Sequence, residues 1–156
     1  MRADHPWKRK ASVKPGRRIR GGFDIGFDDR IPEETRREIR RYVRWLEANF
    51  SFPVTLWVDF EYRHYLRLRN GKQAGYIFYW ADAEAGSVFD EPEDIPQIRL
   101  PVRREHSTME EILLSFTEAV DDYFSWLHHE MKEGRGADTQ AAEAVLEAYK
   151  REKGGL

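Results

Sequence analysis

Residues 54–69 read VTLWVDFEYRHYLRLR, and their period decides the fold. Even positions hold Val54, Leu56, Val58, Phe60, Tyr62, His64, Leu66 and Leu68. Odd positions hold Thr55, Trp57, Asp59, Glu61, Arg63, Tyr65, Arg67 and Arg69. Side chains of a strand alternate between two faces, so this pattern predicts a strand with one face buried and a bend near Arg63. His64 falls on the apolar face and is expected to be a hydrogen-bonded core histidine. Asn70-Gly71 follows and is the strongest short hairpin signal. The segment 75–80, GYIFYW, reads as a return strand that is aromatic on both faces.

Helical periods flank the strands. From Pro32 the apolar residues Ile39, Tyr42, Val43, Leu46 and Phe50 share one stripe, with Asp28 and Asp29 near the positive end of the helix dipole. Arginines at 36, 37, 40, 41 and 44 fill the opposite side, interleaved with Glu33, Glu34 and Glu38. That mixture predicts a solvated face. Between Pro96 and Pro101, Ile98, Leu100 and Val102 alternate with polar residues. The two prolines predict a strand at the rim of the sheet. Ser107-Thr108-Met109-Glu110 reads as a capping box. The helix it opens carries Met109, Ile112, Leu113, Phe116, Val120, Tyr123, Phe124, Leu127 and Met131, and ends at Gly134 and Gly136. Asp138 or Thr139 caps a last helix that runs to Gly154. The expectation is an α+β layer fold. Its small sheet, antiparallel or mixed, is expected to contain antiparallel strands at about 54–69, 74–80 and 97–102, with the helix at 108–131 packed on one face.

Composition bounds the chemistry. Cysteine is absent from the 156 residues, which removes disulfide scaffolds, thiolate metal sites and thiol nucleophiles. No G-x-S-x-G elbow, phosphate-binding glycine loop or dinucleotide fingerprint occurs. No apolar run reaches the ~18 residues of a membrane span, and no apolar leader opens the chain, which predicts a cytoplasmic protein without a membrane partner. Charge is divided unevenly. Residues 1–20 carry eight Lys/Arg and one Asp, net +7; the remainder carries 18 and 27, net −9. Residues 1–22 therefore read as a flexible basic arm, and 23–156 as the folded domain. Such an arm reads first as a solubilising tail without a partner; residues 2–20 also suit nucleic-acid phosphates, although nothing there is placed to read bases. The acids at 82, 84, 90, 91, 93 and 94 lack the spacing and central glycine of a calcium loop.

On the second long helix, Glu118 and Asp122 stand four residues apart and share a side with Glu111, Ser115 and His129. Two carboxylates so placed repel by ~0.2–0.5 kcal/mol unless a positive group lies between them. The segment STMEEILLSFTEAVDDYFSWLHH resembles the active-site helix of the small zincin metallopeptidases, the mini-zincins. Tyr123, Phe124 and Trp126 match the residues that follow the motif in that family, and the order of elements over 32–152 is similar. The resemblance implies a zincin-like fold in which Glu118, Ala119 and Asp122 stand where His-Glu-x-x-His stands. Asp138, or less well Glu143, would be the third ligand.

The departures have chemical consequences. The family motif needs two imidazoles on zinc and a carboxylate that takes a proton from bound water. Here carboxylates replace the imidazoles and Ala119 replaces the base. General-base catalysis is worth ~10²–10⁴-fold. No zinc is then expected, and three carboxylates favour magnesium or calcium. The first reading is a catalytically inactive zincin-like domain that serves as a binding or regulatory module. Its implied contact groove is the rim strand at Gln97, Ile98, Arg99 and Leu100, where such peptidases add substrate as a strand. A second reading is a hydrolase with a hard cation on Glu118, Asp122 and Asp138. A third is a nucleic-acid-associated protein that uses the arm.

Overall fold

The computed structural model describes residues 22–68, 70–71, 73–80, 96–128 and 138–154. The basic arm, the acidic run at 82–94, His129, Met131, Gly134 and Gly136 lie outside the described residues. The elements in chain order are β1 (Phe23–Phe27), α1 (Glu33–Asn49), β2 (Leu56–Glu61), β3 (Leu66–Arg67), β4 (Gln73–Ala74), β5 (Ile77–Trp80), β6 (Pro96–Pro101), α2 (Met109–Leu127) and α3 (Thr139–Lys153). This is an α+β architecture with a four-stranded mixed sheet ordered β1-β2-β6-β5 and a small β3-β4 ladder.

Three expectations about the sheet are corrected. First, β2 and β6 are parallel, Val58 facing Ile98 and Phe60 facing Leu100, so the three expected strands do not form an antiparallel sheet. Only β5 runs antiparallel, pairing with β6. A period of two reports which faces are buried and is silent on strand direction. Second, β6 is interior, with β2 on one side and β5 on the other, so it offers no free edge. Pro96 and Pro101 are its first and last residues, and Val102 donates its N–H to the Glu61 carbonyl at 2.8 Å just beyond. The prolines therefore leave the ladder between them intact. Third, Asn70-Gly71 closes only the two-residue β3-β4 ladder, and the return segment β5 pairs elsewhere.

β1 is an element the sequence reading passed over. It lies parallel to β2, with Phe23 opposite Leu56, Ile25 opposite Val58 and Phe27 opposite Phe60. Its alternation was present, but in five residues only. Residues 54–69 do not form one bent strand either. β2 stops at Glu61, where the Arg63 N–H turns back to the Glu61 carbonyl, and the alternation restarts at Leu66. His64 is therefore exposed rather than in the core, and its ring stacks on His106 at 3.9 Å.

One core unites sheet and helices. Phe116 of α2 meets Phe23 of β1 at 5.6 Å, Phe60 of β2 at 5.4 Å and Tyr42 of α1 at 6.0 Å. Ile39, Tyr42, Val43, Leu46 and Phe50 are all buried, as the stripe predicts. α3 closes over α1 through Tyr149, which packs edge-on against Tyr42 and Trp45. The helices occupy one face of the sheet. None of the described helices is long and apolar enough to cross a membrane.

Candidate functional site

The acidic side of α2 is built into the fold. Ala119 is fully buried in the core cluster, so the residue aligned with a catalytic base faces apolar side chains. Asp122 is 7% exposed, and its Oδ2 accepts the Tyr76 hydroxyl at 2.5 Å. Burial and that hydrogen bond push the Tyr76 hydroxyl well above the ordinary tyrosine range. Asp121, singled out by no motif, is 3% exposed and accepts the backbone N–H of Asp138 at 2.9 Å. Asp138 is the N-cap of α3, its Oδ1 accepting from the Ala141 N–H at 3.1 Å. Glu118 is half-buried and accepts from the Thr139 hydroxyl at 3.3 Å. Desolvation raises its pKa, with Glu143 and Asp121 adding repulsion.

Glu118 and Asp121 thus come together with the start of α3, while Asp122 turns to the segment before β5. Among the described residues no group of three or more His, Asp or Glu is placed to hold a metal ion. The hard-cation arrangement of Glu118, Asp122 and Asp138 has no such cluster behind it. The implied groove at residues 97–100 is also divided. Ile98 and Leu100 are buried in the core, whereas Gln97 and Arg99 point to the other face of the sheet.

That other face carries none of the described helices. Its first row runs Asp24, Trp57, Gln97, Tyr79 across β1, β2, β6 and β5. Its second runs Gly26, Asp59, Arg99, Ile77, and Glu61 lies beyond Asp59 on β2. Trp57 is 40% and Tyr79 37% exposed, two of the three most exposed large hydrophobic residues described. They flank Gln97, two strand spacings or ~10 Å apart at the backbone. The Tyr79 hydroxyl donates to Gln97 Oε1 at 2.8 Å, which holds that ring in place. Arg99 forks onto Glu61, Nε to Oε2 at 2.5 Å and Nη2 to Oε1 at 3.0 Å. Glu61 also meets Arg63 at 3.1 Å. Asp59 leans over Gly26, where an added Cβ would stand 2.8 Å from its Oδ1. Asp24 and Asp59 are exposed and make no hydrogen bond or ion pair among the described residues.

The face therefore presents two aromatic rings and two carboxylates, Asp24 and Asp59, beside a Glu61 already paired with Arg99 and Arg63. Exposed ring faces attract lysine or arginine by ~0.5–1 kcal/mol each. Unpaired carboxylates add to that attraction and repel phosphate. The signal for this site was in the odd positions of residues 54–69 and in the two-faced aromatic pattern of GYIFYW. It could not be assembled without knowing which strands are neighbours. No protein-family model matches the chain, and no curated protein or solved structure matches it.

Proposed function

We propose that this domain is a non-catalytic binding module that holds a basic polypeptide segment on the open face of its sheet. The observation that carries the reading is the row Asp24, Trp57, Gln97, Tyr79, with two exposed rings beside a carboxylate that lacks an ion-pair partner among the described residues. Lysine or arginine side chains of a partner lie against the rings, and their charges meet Asp24 and Asp59. Gln97 offers a polar group between the rings for a partner's backbone. In this reading the similarity of α2 to a mini-zincin helix marks a segment without catalysis. Ala119 cannot move a proton, and the neighbouring acids hold α3 and Tyr76 in place.

The test is a titration of the isotope-labelled full chain with a short synthetic peptide rich in lysine and tryptophan, followed by amide and indole NMR signals. Saturable shifts at 24, 57, 59, 79 and 97 are expected, and Asp24→Lys combined with Asp59→Lys should abolish them. Shifts centred on Glu118 and Thr139, or none, would overturn the reading. Casein and a peptide library should stay intact in the presence of magnesium, calcium or zinc. Metal-dependent turnover lost in Glu118→Ala would establish a hydrolase instead.

A further inference from the structure

The open face has a candidate occupant within the same chain. Residues 1–20 carry a net +7 and the rest of the chain −9. On the face itself Glu61 is taken up by Arg99 and Arg63, while Asp24 and Asp59 make no ion pair among the described residues. The arm joins the sheet at Gly22, whose N–H donates to the Phe52 carbonyl at 2.9 Å and whose carbonyl accepts from the Leu56 N–H at 2.9 Å. Gly22 has φ +91, and any Cβ there would collide with the Glu47 carboxylate, which itself accepts the Phe23 N–H at 3.0 Å. The positive φ favours glycine at the root, and the root lies at the end of the sheet that carries the aromatic row. From β1 to β5 that row spans three strand spacings, ~15 Å. An extended chain covers ~3.3–3.6 Å per residue, so about five residues cross it. Arg17, Arg18 and Arg20 all lie within that reach of the root.

We propose that the basic arm lies across the open face of its own molecule, its cations against Trp57, Tyr79, Asp24 and Asp59. This rests on the reading of that face as a binding surface, and it makes the arm a competitor of any outside partner. Tethering favours it, because a short connection holds the arm at ~mM effective concentration, so contacts that are weak singly suffice together. The arm's charge is screened at high ionic strength, where the Debye length shrinks from ~10 Å at 0.1 M to ~3 Å at 1 M. A partner must then outbid the arm, and salt or neutralisation of the arm opens the face.

The chain has no cysteine, so Ser12→Cys gives a single site for a nitroxide spin label in the full-length protein. Paramagnetic broadening should remove more than half the amide intensity at 57, 59, 79 and 97, leave α3 unaffected, and vanish in 1 M salt. Asp24→Lys with Asp59→Lys, both on exposed strand positions, should also abolish it while the spectrum stays dispersed. A mixture of spin-labelled, unenriched chain with unlabelled, isotope-enriched chain should show no broadening. Broadening in that mixture would overturn the proposal in favour of a second copy. No broadening on the face in the singly labelled chain would overturn it outright. In that event, lysine–tryptophan peptide shifts at the same residues would leave the binding surface standing, and their absence would remove both.

Discussion

Glu118 pays for its position with proton affinity. Burial raises its folded pKa above the value of an unfolded chain, with Glu143 and Asp121 adding to the rise. The folded state then holds more protons than the unfolded one between the two values. Stability from this group falls as pH rises through that window, which begins near the unfolded value of ~4.3. Glu118→Gln should therefore raise the unfolding midpoint at neutral pH. The difference should disappear when denaturation is repeated well below pH 4. Tyr76 is the complementary case. Tyr76→Phe takes a hydroxyl from the buried Asp122 carboxylate, and the loss of a hydrogen bond to a charged group should lower stability by about 1.5–3 kcal/mol. Urea unfolding with an unchanged slope is the measure.

At the scale of elements, the helices were legible because their signals are local. The stripe of α1, the Asp138 cap of α3 and the αL glycine at 154 all stand where the period and cap residues put them. The capping box of α2 stands one residue later than the Ser107 pattern predicts. Thr108, not Ser107, is the N-cap, and it accepts from the Glu111 N–H at 3.1 Å while Glu111 reaches back to the Thr108 N–H. Both Ser-x-x-Glu and Thr-x-x-Glu occur there, and only the phase of the buried stripe separates them. Thr108→Ala should lower stability by ~0.5–2 kcal/mol, whereas Ser107→Ala should leave the urea midpoint almost unchanged. What supports the start of α3 was beyond reach of the sequence. Asp121 supports it from seventeen residues away, across a segment with no motif. Asp121→Ala should accelerate hydrogen exchange over 139–153 while the sheet amides keep their protection.

For the whole molecule, the sheet decided more than any motif. Alternation at 54–60 correctly separated the buried set Leu56, Val58 and Phe60 from the exposed Trp57 and Asp59. It could not say that β1 and β6 flank β2 in parallel, because pairing partners lie far apart in the chain and share one period in either direction. Glu118 and Asp122, two acids four residues apart on one helix, repel each other and need an explanation. Their explanation is structural support from Thr139 and Tyr76. Trp57 and Tyr79, two of the three most exposed large hydrophobic residues described, stand instead on the side of the sheet that the described helices leave open.

The most direct measurement is calorimetric titration of the lysine–tryptophan peptide into four full-length proteins. These are the unaltered chain, Trp57→Ala with Tyr79→Ala, Asp24→Lys with Asp59→Lys, and Glu118→Ala. The open-face pairs should each weaken binding by at least about tenfold, or ~1.4 kcal/mol, and Glu118→Ala should leave it within about twofold. Binding lost in Glu118→Ala and retained in both open-face pairs would contradict the account.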